Sequence, residues 1–121
     1  MQQKVLLIED EPHIVEALSF LLSREGLDVS AHSNGADAAR VARDAAPDLV
    51  ILDVMLPNKS GFDILRELRA SPSTATMPVM MLTAKGQGKD RAEAEEAGAN
   101  LFMTKPFSNA DIVAGVKQLL G

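Results

Sequence analysis

Short apolar runs alternate with helical patterns five times along this 121-residue chain, and that alternation limits the possible folds more than any other feature. The run Leu49–Leu52 is the clearest. Its four consecutive Leu, Val and Ile residues are too few for a helix and lack polar alternation, which predicts a central parallel strand covered on both faces. Similar runs predict strands at Lys4–Ile8, Leu27–Ala31, Val79–Leu82 and Leu101–Met103. Between them Ile14, Ala17, Leu18, Leu21 and Leu22 recur at helical spacing up to Gly26, and an Ala-rich helix runs from about Gly35 to Ala45. Ser60 reads as the N-cap of a helix ending near Ala70. Gly88–Ala97 is helical but poorly apolar, hence loosely held, and Ser108 starts a last helix with Ile112, Val113, Val116, Leu119 and Leu120 on its core face. Strands alternating with helices throughout predict a doubly wound α/β domain, with a parallel sheet, right-handed crossovers and helices on both faces. The length fits one domain over 1–121, and no linker-like or low-complexity stretch divides it.

In an open parallel sheet, ligands bind outside the carboxyl ends of the strands, at the switch point where the first and third strands lie side by side. Four of the five predicted strands end there in polar residues: Glu9-Asp10, Asp53, Thr83 and Thr104-Lys105. Taken singly, each has a plain explanation. Asp10 would cap the helix beginning near Pro12, Asp53 would start a turn, Thr83 would be an ordinary strand-end hydroxyl, and Lys105-Pro106 would be a turn. Taken together they put three carboxylates in one place, repelling by roughly 3 kcal/mol per pair at ~5 Å and an effective dielectric of ~20. A hard divalent cation with oxygen ligands relieves that repulsion, and Lys105 supplies a further positive charge for an anionic oxygen.

Other functions lack their residues. A net charge of −5 with scattered Lys and Arg argues against direct nucleic-acid binding, as do four Phe and no Tyr or Trp for base stacking. No apolar run approaches the length that spans a bilayer. The start of the chain has no leader-like pattern and cysteine is absent, which together suit a cytoplasmic protein. P-loop, zinc-type His pair and Gly-x-Ser-x-Gly patterns are missing too.

The acidic pair after the first strand, Ile51-Leu52-Asp53-Val54-Met55-Leu56-Pro57 followed by Gly61, Leu82-Thr83-Ala84 and Thr104-Lys105-Pro106-Phe107 together resemble the receiver domain of two-component response regulators, the CheY-like fold. The resemblance runs from end to end. It implies a flavodoxin-like sheet in order 2-1-3-4-5 with five helices. It also implies that Asp53 accepts a phosphoryl group from the phosphohistidine of a sensor histidine kinase or phosphotransfer protein. By the same resemblance Asp10 would bind Mg²⁺ directly, Glu9 through water, and the Met55 backbone carbonyl would complete the ligands with Asp53. Thr83 and Lys105 would contact the phosphoryl oxygens, and Pro106 would follow a cis peptide bond. Phe102 would be the switch aromatic coupled to Thr83. Met55 and Lys85 would tune the phosphoryl lifetime. Such a domain would catalyse its own phosphorylation and dephosphorylation without turning over an external substrate.

The chain departs from the family pattern in places. Glu9-Asp10 stands where Asp-Asp is also common, and His13 and His32 match no motif, which assigns them to helix surface and loop. In the transcription-factor subfamily resembling OmpR, complementary charges on the last two helices and fifth strand pair two receivers. Only Arg91 and Asp111 match that set, while Asn100-Leu101 and Gly115 do not. The expectation is therefore a mainly monomeric switch that uses this face, with Leu101 as an added apolar contact, to bind a downstream protein. Two alternatives remain. One is a receiver domain belonging to a DNA-binding transcriptional regulator; the other, from a different class, is an aspartate-nucleophile phosphatase of the haloacid-dehalogenase type, whose Asp-x-Asp pattern on the first strand is missing here.

Overall fold

The computed structural model describes residues 2–83 and 88–121, with the side chains of 88–90 excepted. Five strands, β1 (Lys4–Ile8), β2 (Asp28–His32), β3 (Leu49–Asp53), β4 (Val79–Thr83) and β5 (Leu101–Thr104), form one sheet in the order β2-β1-β3-β4-β5. All the pairings are parallel, with Leu6 facing Val50 and Ile51 facing Met80 in register. The helices are α1 (Pro12–Arg24), α2 (Ala38–Ala45), α3 (Gly61–Ala70), α4 (Gly88–Ala97) and α5 (Asn109–Leu120).

The unbroken apolar runs follow from burial on both faces. Leu6, Ile8, Val50, Leu52, Val79 and Met81 point to the layer of α2, α3 and α4, where they meet Ala42, Ile64, Leu65, Leu68 and Ala94. The alternate residues Val5, Leu7, Leu49, Ile51, Met80 and Leu82 meet Leu18 and Leu22 of α1 and Ile112 and Val116 of α5. Two cores sandwich one sheet. Among the described side chains, α4 buries only Ala94 and Ala97, consistent with its apolar poverty.

Capping sets most of the helix starts. Ser60 and Ser108 each accept a hydrogen bond from the N–H three residues on, Asp63 and Asp111. At α1 the N-cap is Glu11, not Asp10, with no side-chain cap, and Pro12 occupies the first turn. The strand β2 starts one residue later than the apolar run suggests. The Leu27 N–H is occupied by the Leu22 carbonyl (3.3 Å), so sheet pairing starts with Asp28 donating to Gln3 O at 2.9 Å. Gly35–Asp37 is a 3-10 turn ahead of α2, capped by Asn34. The strands β3, β4 and β5 each run one residue further than their apolar runs, because Asp53, Thr83 and Thr104 still pair across the sheet.

Candidate functional site

Backbone hydrogen bonds carry the sheet beyond its last apolar residues and thereby fix the polar ones. Glu9 N–H donates to His32 O (3.0 Å), Val54 N–H to Leu82 O (2.9 Å) and Lys105 N–H to Thr83 O (2.7 Å). The three loops leaving β1, β3 and β5 thus start from a rigid edge. Glu9 and Asp53 are 0% and 3% exposed, while Asp10 is open to solvent. Carboxylate oxygens from these three residues all lie within 4.8 Å of one another. Lys105 Nζ reaches in from the far side, 3.2 Å from Glu9 Oε2 and 3.3 Å from Asp53 Oδ2. The peptide bond between Lys105 and Pro106 is cis. Thr83 is buried at the end of β4. Asp10, Glu11, Asp53, Met55 and Lys105 line an open cleft of about 420 Å³, and Met55 N–H donates to Asp53 Oδ1 (3.3 Å).

The electrostatics show an incompletely neutralised cluster. Burial, then the charge of Asp53, raises the Glu9 carboxyl from 4.5 to about 7, against the lowering influence of Glu11 N–H and Lys105. Burial alone would lower Lys105, but Asp53 and Glu9 outweigh it and hold the ammonium above its ordinary pKa. Three carboxylates against one ammonium leave net negative charge among hard oxygen donors, and that donor set suits a divalent cation such as Mg²⁺.

The remaining expected residues fall on the side of β5, α4 and α5. Phe102 is half-buried against the α2–α4 core, and the exposed Arg91 places its guanidinium 5.3 Å from the ring centroid. Asp111 is exposed. Leu101, expected as an added apolar contact on this face, lines a surface pocket beside Arg91 and Phe102 with part of its side chain. It is half-buried in the α1–α5 core, because Gly115 leaves space that a Cβ would fill at 2.8 Å from Leu101 Cδ2. Lys85 lies outside the described residues.

His32 is also not in a loop. It ends β2, with Nε2 2.6 Å from Asp37 Oδ1, and that bond is the leading cause holding Asp37 below its ordinary pKa. Sequence reasoning missed Arg69, whose guanidinium donates to the carbonyls of Met77 (2.7 Å) and Gly98 (2.9 Å) and to Asn100 Oδ1 (2.8 Å). A basic residue in the last turn of a helix was the available signal.

Residues 5–117 match the family model of the response regulator receiver domain. The chain belongs to that family. A curated relative, the alkaline phosphatase synthesis transcriptional regulatory protein PhoP of Bacillus subtilis, is 41% identical over 99% of this chain and 49% of its own length, so the chain spans about half of that relative. Among solved structures, the receiver domain of sensor histidine kinase PA1611 from Pseudomonas aeruginosa, with a magnesium ion coordinated in its active-site cleft, superposes with a TM-score of 0.91. It is 30% identical and covers 100% of this chain and 99% of its own. The chemotaxis protein CheY4 of Vibrio cholerae gives 0.90 at 26% identity, covering 98% and 99%. Receiver domains act in two-component signal transduction as phosphorylation-type switches rather than as metabolic enzymes, working with histidine kinases and downstream effectors. Among the described residues, no helix of this receiver domain is long and apolar enough to cross a membrane.

Proposed function

We propose that this receiver domain is a cytoplasmic, phosphorylation-activated switch in which Asp53 takes a phosphoryl group from the phosphohistidine of a sensor histidine kinase or phosphotransfer protein. The observation that carries the reading is a nearly inaccessible Asp53 held between two further carboxylates and an ammonium, at the floor of an open cleft. A carboxylate oxygen of Asp53 attacks phosphorus, the O–P bond forms as the N–P bond breaks, and the departing imidazole takes up a proton. Asp10, Asp53 and the Met55 carbonyl would hold Mg²⁺, with Glu9 acting through water. When bound, the ion neutralises negative charge developing on the phosphoryl oxygens. Lys105, already 3.3 Å from Asp53 Oδ2, donates to one phosphoryl oxygen and the Thr83 hydroxyl to another. Drawing Thr83 toward the phosphoryl group alters the space beside Phe102, and the face of α4, β5 and α5, including Arg91 and Asp111, changes for a downstream protein.

The relative PhoP favours a second reading, in which this domain is the receiver part of a DNA-binding transcriptional regulator, since that protein is a transcriptional regulator about twice as long. In both readings the domain itself makes no nucleic-acid contact.

Intact-mass measurement with Mg²⁺ and phosphoramidate or acetyl phosphate tests the chemistry. One phosphoryl group should be gained by the native chain and none by Asp53→Asn, while Lys105→Ala should keep some labelling and lose the conformational response. A gain surviving in Asp53→Asn places the acceptor elsewhere and removes the proposal.

A further inference from the structure

The loop from β3 to α3 carries Met55 over Asp53, yet Met55 itself has little packing, being 71% exposed. Its position is inherited from the ends of the loop. At the root, Gly61 N–H donates to Val54 O (2.9 Å), and a Cβ on Gly61 would run into the Asp53 carbonyl. At the tip, the loop lies on the turn between β2 and α2. Gly35 N–H donates to Pro57 O (3.1 Å), and a Cβ at Gly35 would sit 2.6 Å from Lys59 O and 2.8 Å from Pro57 O. Backbone is the obstacle in both cases, so any larger residue would have to push the loop away. Asn58 takes the left-handed conformation (φ 72°) that Asn tolerates, and its Nδ2 donates to Asn34 Oδ1 at 3.0 Å. The same oxygen accepts from Ala36 N–H (2.8 Å), so one side chain both caps the 3-10 turn and clasps the loop. Lys59 pairs with Glu67 of α3 and Leu56 packs on the core below, leaving the stretch around Met55 spanning between fixed points.

We propose that Asn34, Gly35 and Asn58 are positioning residues for the site: the clasp fixes where the Met55 carbonyl and N–H stand relative to Asp53, and so sets Mg²⁺ affinity and phosphoryl lifetime. The inference rests on the metal and acceptor roles assigned under Proposed function. None of the three residues lines the cleft that holds Asp53. They act through the loop, in the way that outer partners orient ligands at metal sites.

Asn58→Gly removes the donor while keeping the left-handed backbone easy, Gly35→Ala wedges the loop, and Asn34→Asp keeps the acceptor that serves both Asn58 and Ala36. Calorimetric Mg²⁺ titration and amide exchange without metal read the effect. Asn58→Gly and Gly35→Ala should bind Mg²⁺ about tenfold more weakly, Asn58→Gly should exchange faster at Gly35 N–H, and both should alter the rate of phosphoryl loss. Asn34→Asp should match the native protein. Should Gly35→Ala fail to fold, Asn58→Gly decides alone. Variants that melt earlier but bind Mg²⁺ at native strength make the clasp purely structural and overturn the inference, as does an Asn34→Asp variant as weak as Asn58→Gly. A native chain that takes neither Mg²⁺ nor phosphoryl overturns the functional reading first, which keeps the two failures apart.

Discussion

Glu9 is the residue at which the electrostatic tension of the site can be measured. Its carboxyl is raised from 4.5 to about 7, chiefly by burial and then by Asp53. Between those values the folded chain holds a proton that the unfolded chain has lost, so stability must fall as pH rises through this window. Lys105 adds nothing there. Its raised pKa contributes stability that is fully present below the unfolded value and is lost only in the alkaline range. We expect the metal-free melting midpoint to drop from about pH 5 to pH 7.5, and Glu9→Gln to flatten the drop. Mg²⁺ should oppose it, adding roughly 1.4 kcal/mol at tenfold saturation. Melts across pH with EDTA and with Mg²⁺ check all three, and a midpoint that rises with pH in EDTA refutes the assignment of the burial cost to Glu9.

Among the elements, α4 is held in an uneven way. Its described apolar contacts are alanines, yet its C-terminal end is fastened by Arg69, which collects carbonyls from Met77 and Gly98 and the side chain of Asn100. Burial pulls the guanidinium below its ordinary pKa, but the Gly98 carbonyl at the C-terminal end of α4 accepts from it. Asn100 adds a second tie, accepting from Val79 N–H at 2.9 Å. Arg69→Ala should therefore destabilise by roughly 2–4 kcal/mol, and Arg69→Lys should recover only part, because a point charge cannot serve several carbonyls at once. The urea midpoint reads both. The last-turn position of Arg69 was legible beforehand, but its partners were not, since carbonyls scattered over Thr74, Ala75, Met77 and Gly98 leave no local pattern. By contrast β1, β3 and β4 announced themselves through two-sided burial, and Ser60 and Ser108 through their caps. The placing of Leu27 and His32 failed where the deciding partner stood on another element: the Leu22 carbonyl and the pairing with Ile8 of β1. The polar strand ends were readable because topology alone brings them together. The full burial of Glu9 was not, since depth at a sheet edge depends on the loops above it.

At the scale of the whole molecule the open question is what meets the face of α4, β5 and α5. A two-fold pairing of this face would repeat each contact twice. Of the complementary charges that pair receivers in the OmpR-like subfamily, this chain matches Arg91, already stationed over the Phe102 ring, and Asp111. Exposed ion pairs contribute about 0–1 kcal/mol each, whereas a micromolar dimer requires about 8 kcal/mol of net binding. The missing energy would have to come from apolar burial, and Leu101, half-buried beside Gly115, offers only part of its side chain for it. Activated chains should therefore remain mainly monomeric and reserve the Arg91–Phe102 corner for a different protein. Light scattering on the beryllofluoride-activated protein at roughly 50 µM, far below the dissociation constant of about 30 mM or weaker that two exposed pairs alone would support, gives the answer. A clean two-fold dimer would sink the monomer proposal and favour a receiver that works inside a paired transcriptional regulator. Arg91→Ala should then weaken that dimer, whereas in a monomeric switch it should leave the scattering unchanged and alter only partner binding.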